Sequence, residues 1–114
     1  MATITIGDGN TTVTEGSNLT LQVGNGKDTI AAGSNDTITI GNGPDTITIG
    51  SNDTVTIGDG PDALTAGSND AIMIGQGPDT IIVGPNATIT AGNGPDSITA
   101  GPSSMIPRPT APTR

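Results

Sequence analysis

The residues best suited to chemistry in this 114-residue sequence are aspartates that recur at a fixed spacing of 17 positions. The main set closes a series of Gly-x-Gly-x-Asp loops and comprises Asp28, Asp45, Asp62, Asp79 and Asp96. A shorter set with the same spacing comprises Asp36, Asp53 and Asp70. If equivalent residues stack at the spacing of neighbouring β-strands, about 4.8 Å, adjacent carboxylates repel by roughly 0.9 kcal/mol in bulk water and by more at lower dielectric. Such a column therefore requires either full solvation or bridging cations.

Calcium is the cation that these loops favour. It accepts carboxylates together with backbone carbonyls in irregular geometry, and two glycines in each loop allow the carbonyls to turn toward an ion. We therefore predict that the main set, from Asp28 to Asp96, binds calcium, with the shorter set as a weaker candidate. The alternative is structural: aspartates in turns accept hydrogen bonds from backbone amides and then need no metal.

Composition argues against several other functions. The chain has 11 acidic residues against three basic ones, Lys27, Arg108 and Arg114, which gives a net charge of −8. Nucleic acid and anionic membranes are therefore poor partners, and no segment is long and apolar enough to insert across a bilayer. The chain has no histidine, cysteine or tyrosine, and its carboxylates form a ladder of equivalents rather than a pair in divergent environments, so we expect no enzymatic activity.

The elements that would position these aspartates follow from an unbroken 17-residue repeat. Residues 40–56 read IGNGPDTITIGSNDTVT and consist of two halves, each a turn followed by a short segment in which apolar residues alternate with threonine. Such alternation is typical of a half-buried strand, and glycine at this density disfavours a helix. Hairpins could use these strands, but identical units at constant spacing favour coils in which each strand pairs in parallel with its copy 17 residues later.

The sequence thus predicts an all-β, two-sided parallel β-solenoid over residues 1–101, with stacked register from Ile4 to Gly101. Two facing inward columns are Ile30, Ile47, Leu64, Ile81 and Ile98, and Leu21, Ile38, Val55, Ile72 and Ile89. A second inward layer is Ile40, Ile57, Ile74 and Ala91 opposite Ala32, Ile49, Ala66 and Val83. One turn column consists of asparagines, which tolerate left-handed geometry: Asn18, Asn35, Asn52, Asn69 and Asn86. Residues 102–114 are a proline-rich tail unsuited to a β ladder, although Met105 and Ile106 could touch the open core.

The loops resemble the nonapeptide of the RTX, or haemolysin-type, family, Gly-Gly-x-Gly-x-Asp-x-apolar-x. Gly41 and Gly43 match the second and third glycines, Asp45 the aspartate and Ile47 the apolar position, and the match recurs in four other coils. The resemblance implies a parallel β-roll that binds calcium between stacked turns. The chain departs from the family's pattern, because the first glycine is replaced by apolar residues such as Ile40 and every second half is an octapeptide. The repeat is therefore a divergent 9+8 variant.

The function predicted from these features is a non-catalytic structural one: a calcium-responsive scaffold or adhesin-type segment, extracellular or at the cell surface. Two alternatives stay open. Outward Thr-x-Thr arrays resemble the ice-binding faces of some solenoid antifreeze proteins, although Gln22, Met73 and Ile82 interrupt them. Neither end of the coil stack carries an obvious polar cap, so end-to-end self-association into filaments is the other hypothesis.

Overall fold

A computed structural model of the chain describes residues 2–106 and shows twelve short β-strands in that range. They are β1 (Ala2–Ile6), β2 (Thr12–Thr14), β3 (Leu19–Val23), β4 (Thr29–Ala31), β5 (Thr37–Ile40), β6 (Thr46–Thr48), β7 (Thr54–Ile57), β8 (Ala63–Thr65), β9 (Ala71–Ile74), β10 (Thr80–Val83), β11 (Thr88–Ala91) and β12 (Ser97–Ala100). The odd-numbered strands form one six-stranded parallel sheet and the even-numbered strands form the other. The fold is therefore all-β, a two-sided parallel β-solenoid. Within the described residues no helix is long and apolar enough to cross a membrane.

Each strand pairs with its copy one repeat away. Ile38 lies between Leu21 and Val55 in the odd-numbered sheet, and Ile30 pairs with Ile47 in the other. The parallel register predicted from the glycine spacing is therefore confirmed. A slip of one residue would turn a whole isoleucine column toward solvent, which is why the alternating pattern fixes the register so firmly.

The core is thin and aliphatic, and it lies between the two sheets. The two predicted facing columns are buried, with Ile98 in the last coil partly buried: Leu21, Ile38, Val55, Ile72 and Ile89 face Ile30, Ile47, Leu64 and Ile81. The second predicted layer is buried as well, apart from Ala32, which is half-buried. Because the chain has no aromatic residue, stability depends on the fit of these Ile, Val, Leu and Ala side chains from coil to coil.

Turns on both edges use backbone conformations that ordinary residues avoid. The asparagine column adopts left-handed geometry, with φ between 62° and 67°, as predicted for residues such as Asn52. Gly43 has φ of 134°, and a Cβ there would also collide with the carbonyl oxygen of Gly26 in the preceding coil. The loops therefore require glycine for close stacking as well as for turning.

Proline in these loops removes a backbone amide that would have no acceptor. The Lys27 N–H donates to Asn10 Oδ1 at 2.9 Å, across the coils. The lysine side chain offers no acceptor to the following coil, and the residue there is Pro44, which has no N–H. Proline then continues this column at positions 61, 78 and 95, so none of these coils leaves an amide unpaired at this point.

Hydrogen bonds of the kind that joins neighbouring solenoid coils continue for a few residues past Gly101. The Met105 N–H donates to the Ala87 carbonyl and the Ile89 N–H donates to the Met105 carbonyl, both at 2.8 Å. Ile106 packs partly buried against the core, whereas Met105 is exposed on the outer face. Of the two residues expected to touch the open core, Ile106 does so. The remainder of the predicted tail, residues 107–114, lies outside the described residues.

We predict that Ile47→Asp unfolds at least the coils around it, because it buries an unpaired charge at a side chain that is 1 % exposed. The expected cost is several kcal/mol, a large part of the stability of so small a domain. Thr46→Ser, at the adjacent exposed position, is the matched control and should leave stability nearly unchanged. Thermal melts followed by circular dichroism compare the two variants. Similar melting temperatures for both would mean that the inward and outward faces are assigned wrongly.

Candidate functional site: two buried aspartate columns

Both sets of repeated aspartates point into the solenoid. Asp28, Asp45, Asp62 and Asp79 are 0–3 % exposed, and Asp96 in the last coil is partly buried. The shorter set, Asp36, Asp53 and Asp70, is buried to the same extent. The reason is the period of a strand: a side chain two positions before an inward residue faces inward too. The structure thus excludes the fully solvated column that the sequence left open.

One oxygen of each carboxylate has a defined structural partner. Asp45 Oδ1 accepts the Asp28 N–H at 2.9 Å, and Asp62 Oδ1 accepts the Asp45 N–H at the same distance. The pattern runs along the whole main column, from the Thr11 amide to Asp96, and the shorter column repeats it from the Leu19 amide to Asp70. The aspartates therefore cap backbone amides, as the structural alternative proposed. The amide lies one coil away, 17 residues earlier in the chain, instead of in the same turn.

The second oxygen of each buried carboxylate has no hydrogen-bond partner among the described residues. This holds for Oδ2 of Asp28, Asp36, Asp45, Asp53, Asp62, Asp70 and Asp79. A buried polar atom without a partner costs about 1–3 kcal/mol, and more when it carries charge. Seven such atoms in one small fold are a large unfavourable contribution, which either protons or cations could relieve.

The electrostatics of the columns follow from this burial. Desolvation raises the pKa of Asp62 to about 7 and that of Asp53 to about 6, partly offset by the amide hydrogen bond and reinforced by the neighbouring carboxylates. Desolvation raises the pKa of Asp45, Asp70 and Asp79 as well. Burial therefore destabilises the charged form of these five carboxylates, and it favours any partner that neutralises them.

The two edges of the solenoid differ in the backbone oxygens they offer. On the Gly-Ser-Asn-Asp edge the Gly33 carbonyl accepts the Gly50 N–H at 2.8 Å. On the Gly-x-Gly-x-Asp edge the carbonyls of Gly41, Gly43 and Pro44 accept no hydrogen bond from the described residues. Glycine carbonyls on this edge lie between stacked loops, since the Gly24 oxygen is 2.8 Å from where a Cβ of Gly41 would be. On the edge of the main column unpartnered carboxylate oxygens therefore occur together with unpartnered glycine carbonyls, whereas the Gly33 carbonyl of the other edge is already hydrogen-bonded.

This donor set is compatible with a hard cation. Within residues 2–106 no three acidic side chains converge on one point, so an ion would have one or two carboxylates from adjacent coils and otherwise carbonyl oxygens. Calcium accepts such mixed oxygen ligands. The assignment of Asp28, Asp45, Asp62, Asp79 and Asp96 to a metal site stays a prediction.

The shorter column, predicted as the weaker metal candidate, shares the buried environment of the main set. Asp36, Asp53 and Asp70 have the same burial and the same kind of amide partner as the main set. The sequence contained a signal for their burial, because each lies two residues before an inward aliphatic residue, as Asp53 does before Val55. The column ends where Ala87 takes the equivalent position, so the Asp70 N–H has no side-chain acceptor there.

We predict that the metal-free protein loses stability as the pH rises. The folded pKa of Asp62 is about 7 and the unfolded value is 3.8, so between these values the folded chain binds more protons than the unfolded chain. Stability from these groups is therefore fully present at the acid end and is lost as the pH rises through about 6 to 7. Denaturant unfolding in chelator over a pH series measures the effect.

The variant Asp53→Asn/Asp62→Asn should weaken this pH dependence, since it removes the two carboxylates whose pKa values are raised to about 6 and about 7. Asp59→Asn is the control, because Asp59 is exposed in a loop. A stability that rises from acid to neutral pH in the metal-free protein would contradict the argument.

No protein-family model, curated protein or solved structure matches the chain. The resemblance to RTX repeats therefore rests on the loop pattern. The structure agrees with it at a coarse level, as a parallel β-solenoid with 17-residue coils and stacked columns of aspartate.

Proposed function

We propose that the chain is a non-catalytic structural scaffold whose rigidity responds to calcium, as a segment outside the cell or at its surface. The observation that carries this proposal is the set of seven buried carboxylate oxygens without a partner. An ion bound between coils would give these oxygens a ligand and remove the repulsion along the column. Calcium would supply charge neutralisation and cross-linking between coils, and no reaction is involved.

A comparison within the chain supports a role for the negative charge. An exposed loop column also accepts hydrogen bonds from backbone amides of the following coil. Its acceptors include both aspartate and asparagine: Asp8, Asn25, Asn42 and Asp59. A neutral amide oxygen thus suffices for capping. Within residues 2–106 the buried side chains that accept backbone amides of an adjacent coil are all aspartates and none is an asparagine, although burial makes the charge more expensive. A cation ligand explains why the charged acceptor occurs at the buried positions.

The main column is the better binding site of the two. Asp45 and Asp62 would supply Oδ2 atoms from adjacent coils, and loop carbonyls such as that of Gly43 would complete the shell. The shorter column lacks the equivalent glycine carbonyl, because the Gly33 oxygen is already hydrogen-bonded. At a hundredfold excess over its dissociation constant, each bound ion would add about 2.7 kcal/mol to the stability of the folded state.

We predict that the protein melts markedly higher in calcium than in chelator, and that Asp45→Asn/Asp62→Asn abolishes most of this difference. Asparagine keeps the Oδ1 acceptor for the Asp28 and Asp45 amides, so the variant removes charge without removing the cap. Its melting temperature in chelator should equal or exceed that of the unchanged protein.

The matched control is Asp36→Asn/Asp53→Asn, which makes the same change in the other buried column and should retain the calcium response. Magnesium in place of calcium tests ion selectivity. The same melting temperature in calcium and in chelator would show that the aspartates are amide caps only. Loss of the response in both double variants would show that the two edges are not distinguished by their carbonyls.

Ice binding is a second candidate, favoured by the outer face of the odd-numbered sheet. Thr37 and Thr39 stack in register on Thr54 and Thr56 in adjacent strands and form a regular array. All four side chains are exposed, and no strand of either sheet contains a charged residue. An uncharged, regularly repeating array of hydroxyl and methyl groups is suited to an ordered water lattice.

We predict thermal hysteresis in solutions of the protein if this face binds ice, and its loss in Thr39→Lys. Thr48→Lys is the control on the opposite sheet, where Ala31 and Thr65 flank the same column. Both positions are exposed, so neither change should unfold the chain. Absence of hysteresis in the unchanged protein would dismiss this candidate and leave the calcium proposal untouched.

A further inference from the structure

The exposed loop column contains a chemically labile sequence that the proposed function does not use. Five of its members are Asp or Asn followed by glycine: Asp8, Asn25, Asn42, Asp59 and Asn93. An Asn-Gly pair is prone to deamidation, because glycine has no side chain to hinder attack of its backbone nitrogen on the asparagine side chain. The reaction needs that nitrogen to be free and able to approach Cγ of the asparagine.

Coil stacking holds both reacting groups in place at two of the three Asn-Gly pairs. At Asn42, the Gly43 N–H donates to the Asp59 carbonyl at 2.9 Å and the asparagine Oδ1 accepts the Asp59 N–H at 2.7 Å. At Asn25, the Gly26 N–H donates to the Asn42 carbonyl at 3.0 Å and Oδ1 accepts the Asn42 N–H at 2.7 Å. The attacking nitrogen and the side chain are thus each fixed by the following coil.

The third pair lacks these restraints within residues 2–106. The Gly94 N–H has no acceptor there, and no donor in that range reaches the Asn93 side chain. Only the preceding coil holds Asn93, through its carbonyl, which accepts the Gly77 N–H at 3.0 Å. Both Asn93 and Gly94 are exposed to solvent.

We propose that Asn93 is a site of spontaneous deamidation in the folded protein, and that coil stacking protects Asn25 and Asn42 from the same reaction. The Gly94 nitrogen loses its proton to water and bonds to Cγ of Asn93, and the Cγ–Nδ2 bond breaks to release ammonia. Water then opens the resulting cyclic imide to aspartate or to isoaspartate. No oxidant, metal or enzyme is required, and atoms balance with one water taken up for each ammonia released.

The chemistry has a structural consequence that depends on position. Isoaspartate lengthens the backbone by one methylene group. Within the stack this would break the 17-residue register, but at Asn93 it affects only the loop that begins the β12 coil. Each event also adds one negative charge to a chain of net charge −8.

The experiment is incubation of the full chain in mildly alkaline buffer, folded and in denaturant, followed by peptide mass spectrometry of each asparagine. In the folded protein Asn93 should react more than about tenfold faster than Asn25 and Asn42, since those two must first open locally. In denaturant the three rates should become similar, because the local sequence is then the only determinant. Asn93→Gln is the control, since glutamine occupies this column at position 76 and forms the corresponding ring far more slowly.

Three results would overturn the proposal. If Asn25 or Asn42 reacts as fast as Asn93 in the folded protein, the hydrogen bonds between coils do not protect these residues from deamidation. If Asn93 is as slow as they are while all three react in denaturant, Asn93 is held in the folded protein as firmly as the others. Formation of new acidic species at an undiminished rate in Asn93→Gln would also contradict it, because the charge would then arise elsewhere.

Discussion

The hydrogen bond directed along the solenoid axis, from one coil to a residue 16 to 18 positions away in the next, is the interaction on which the rest of the structure depends. Strand amides make it with strand carbonyls, and the loops make it as well. Where a loop amide faces no carbonyl, a side chain accepts it: Asp45 inside the coil, Asn42 on one edge and Ser51 on the other. A buried or half-buried amide without a partner is costly, so each loop position needs an acceptor, or a proline with no N–H.

This requirement explains the unusual composition of the interior. A domain of this size would ordinarily use aromatic rings for its core, yet here three of the coils each bury two carboxylates beside a few aliphatic side chains. The carboxylates satisfy amides at the corners, where the chain turns and no strand can pair. The second oxygen of each buried carboxylate has no hydrogen-bond partner in the described part of the chain, which makes the corners the least stable part of the interior. Rigidity is therefore supplied by the sheets, and the proposed response to protons or ions would be localised at the edges.

Much of the fold could be predicted from the sequence, because its determinants are periodic. Glycine spacing set the coil length, and the alternation around Ile47 and Val55 set the inward faces. The direction of the aspartates was harder, because polarity suggested an exposed turn whereas Asp45 shares the strand phase of Ile47 and lies inside. The candidate site depends on pairing across coils, namely which oxygen of Asp45 accepts an amide and which has none. Composition and spacing do not contain that information, since it requires the relative position of two loops.

Loops that bond only to their immediate copies make the solenoid modular at the level of the gene. A tandem duplication, or the loss of one complete repeat, would leave every axial contact between the remaining coils intact and would change the length of the rod by about 4.8 Å. An insertion of a single codon would instead shift the strands of that coil to the opposite face. Near-identical repeats also favour unequal recombination. Selection can therefore adjust the reach of this protein in whole-coil steps, with little cost to folding, while holding the length of each coil constant.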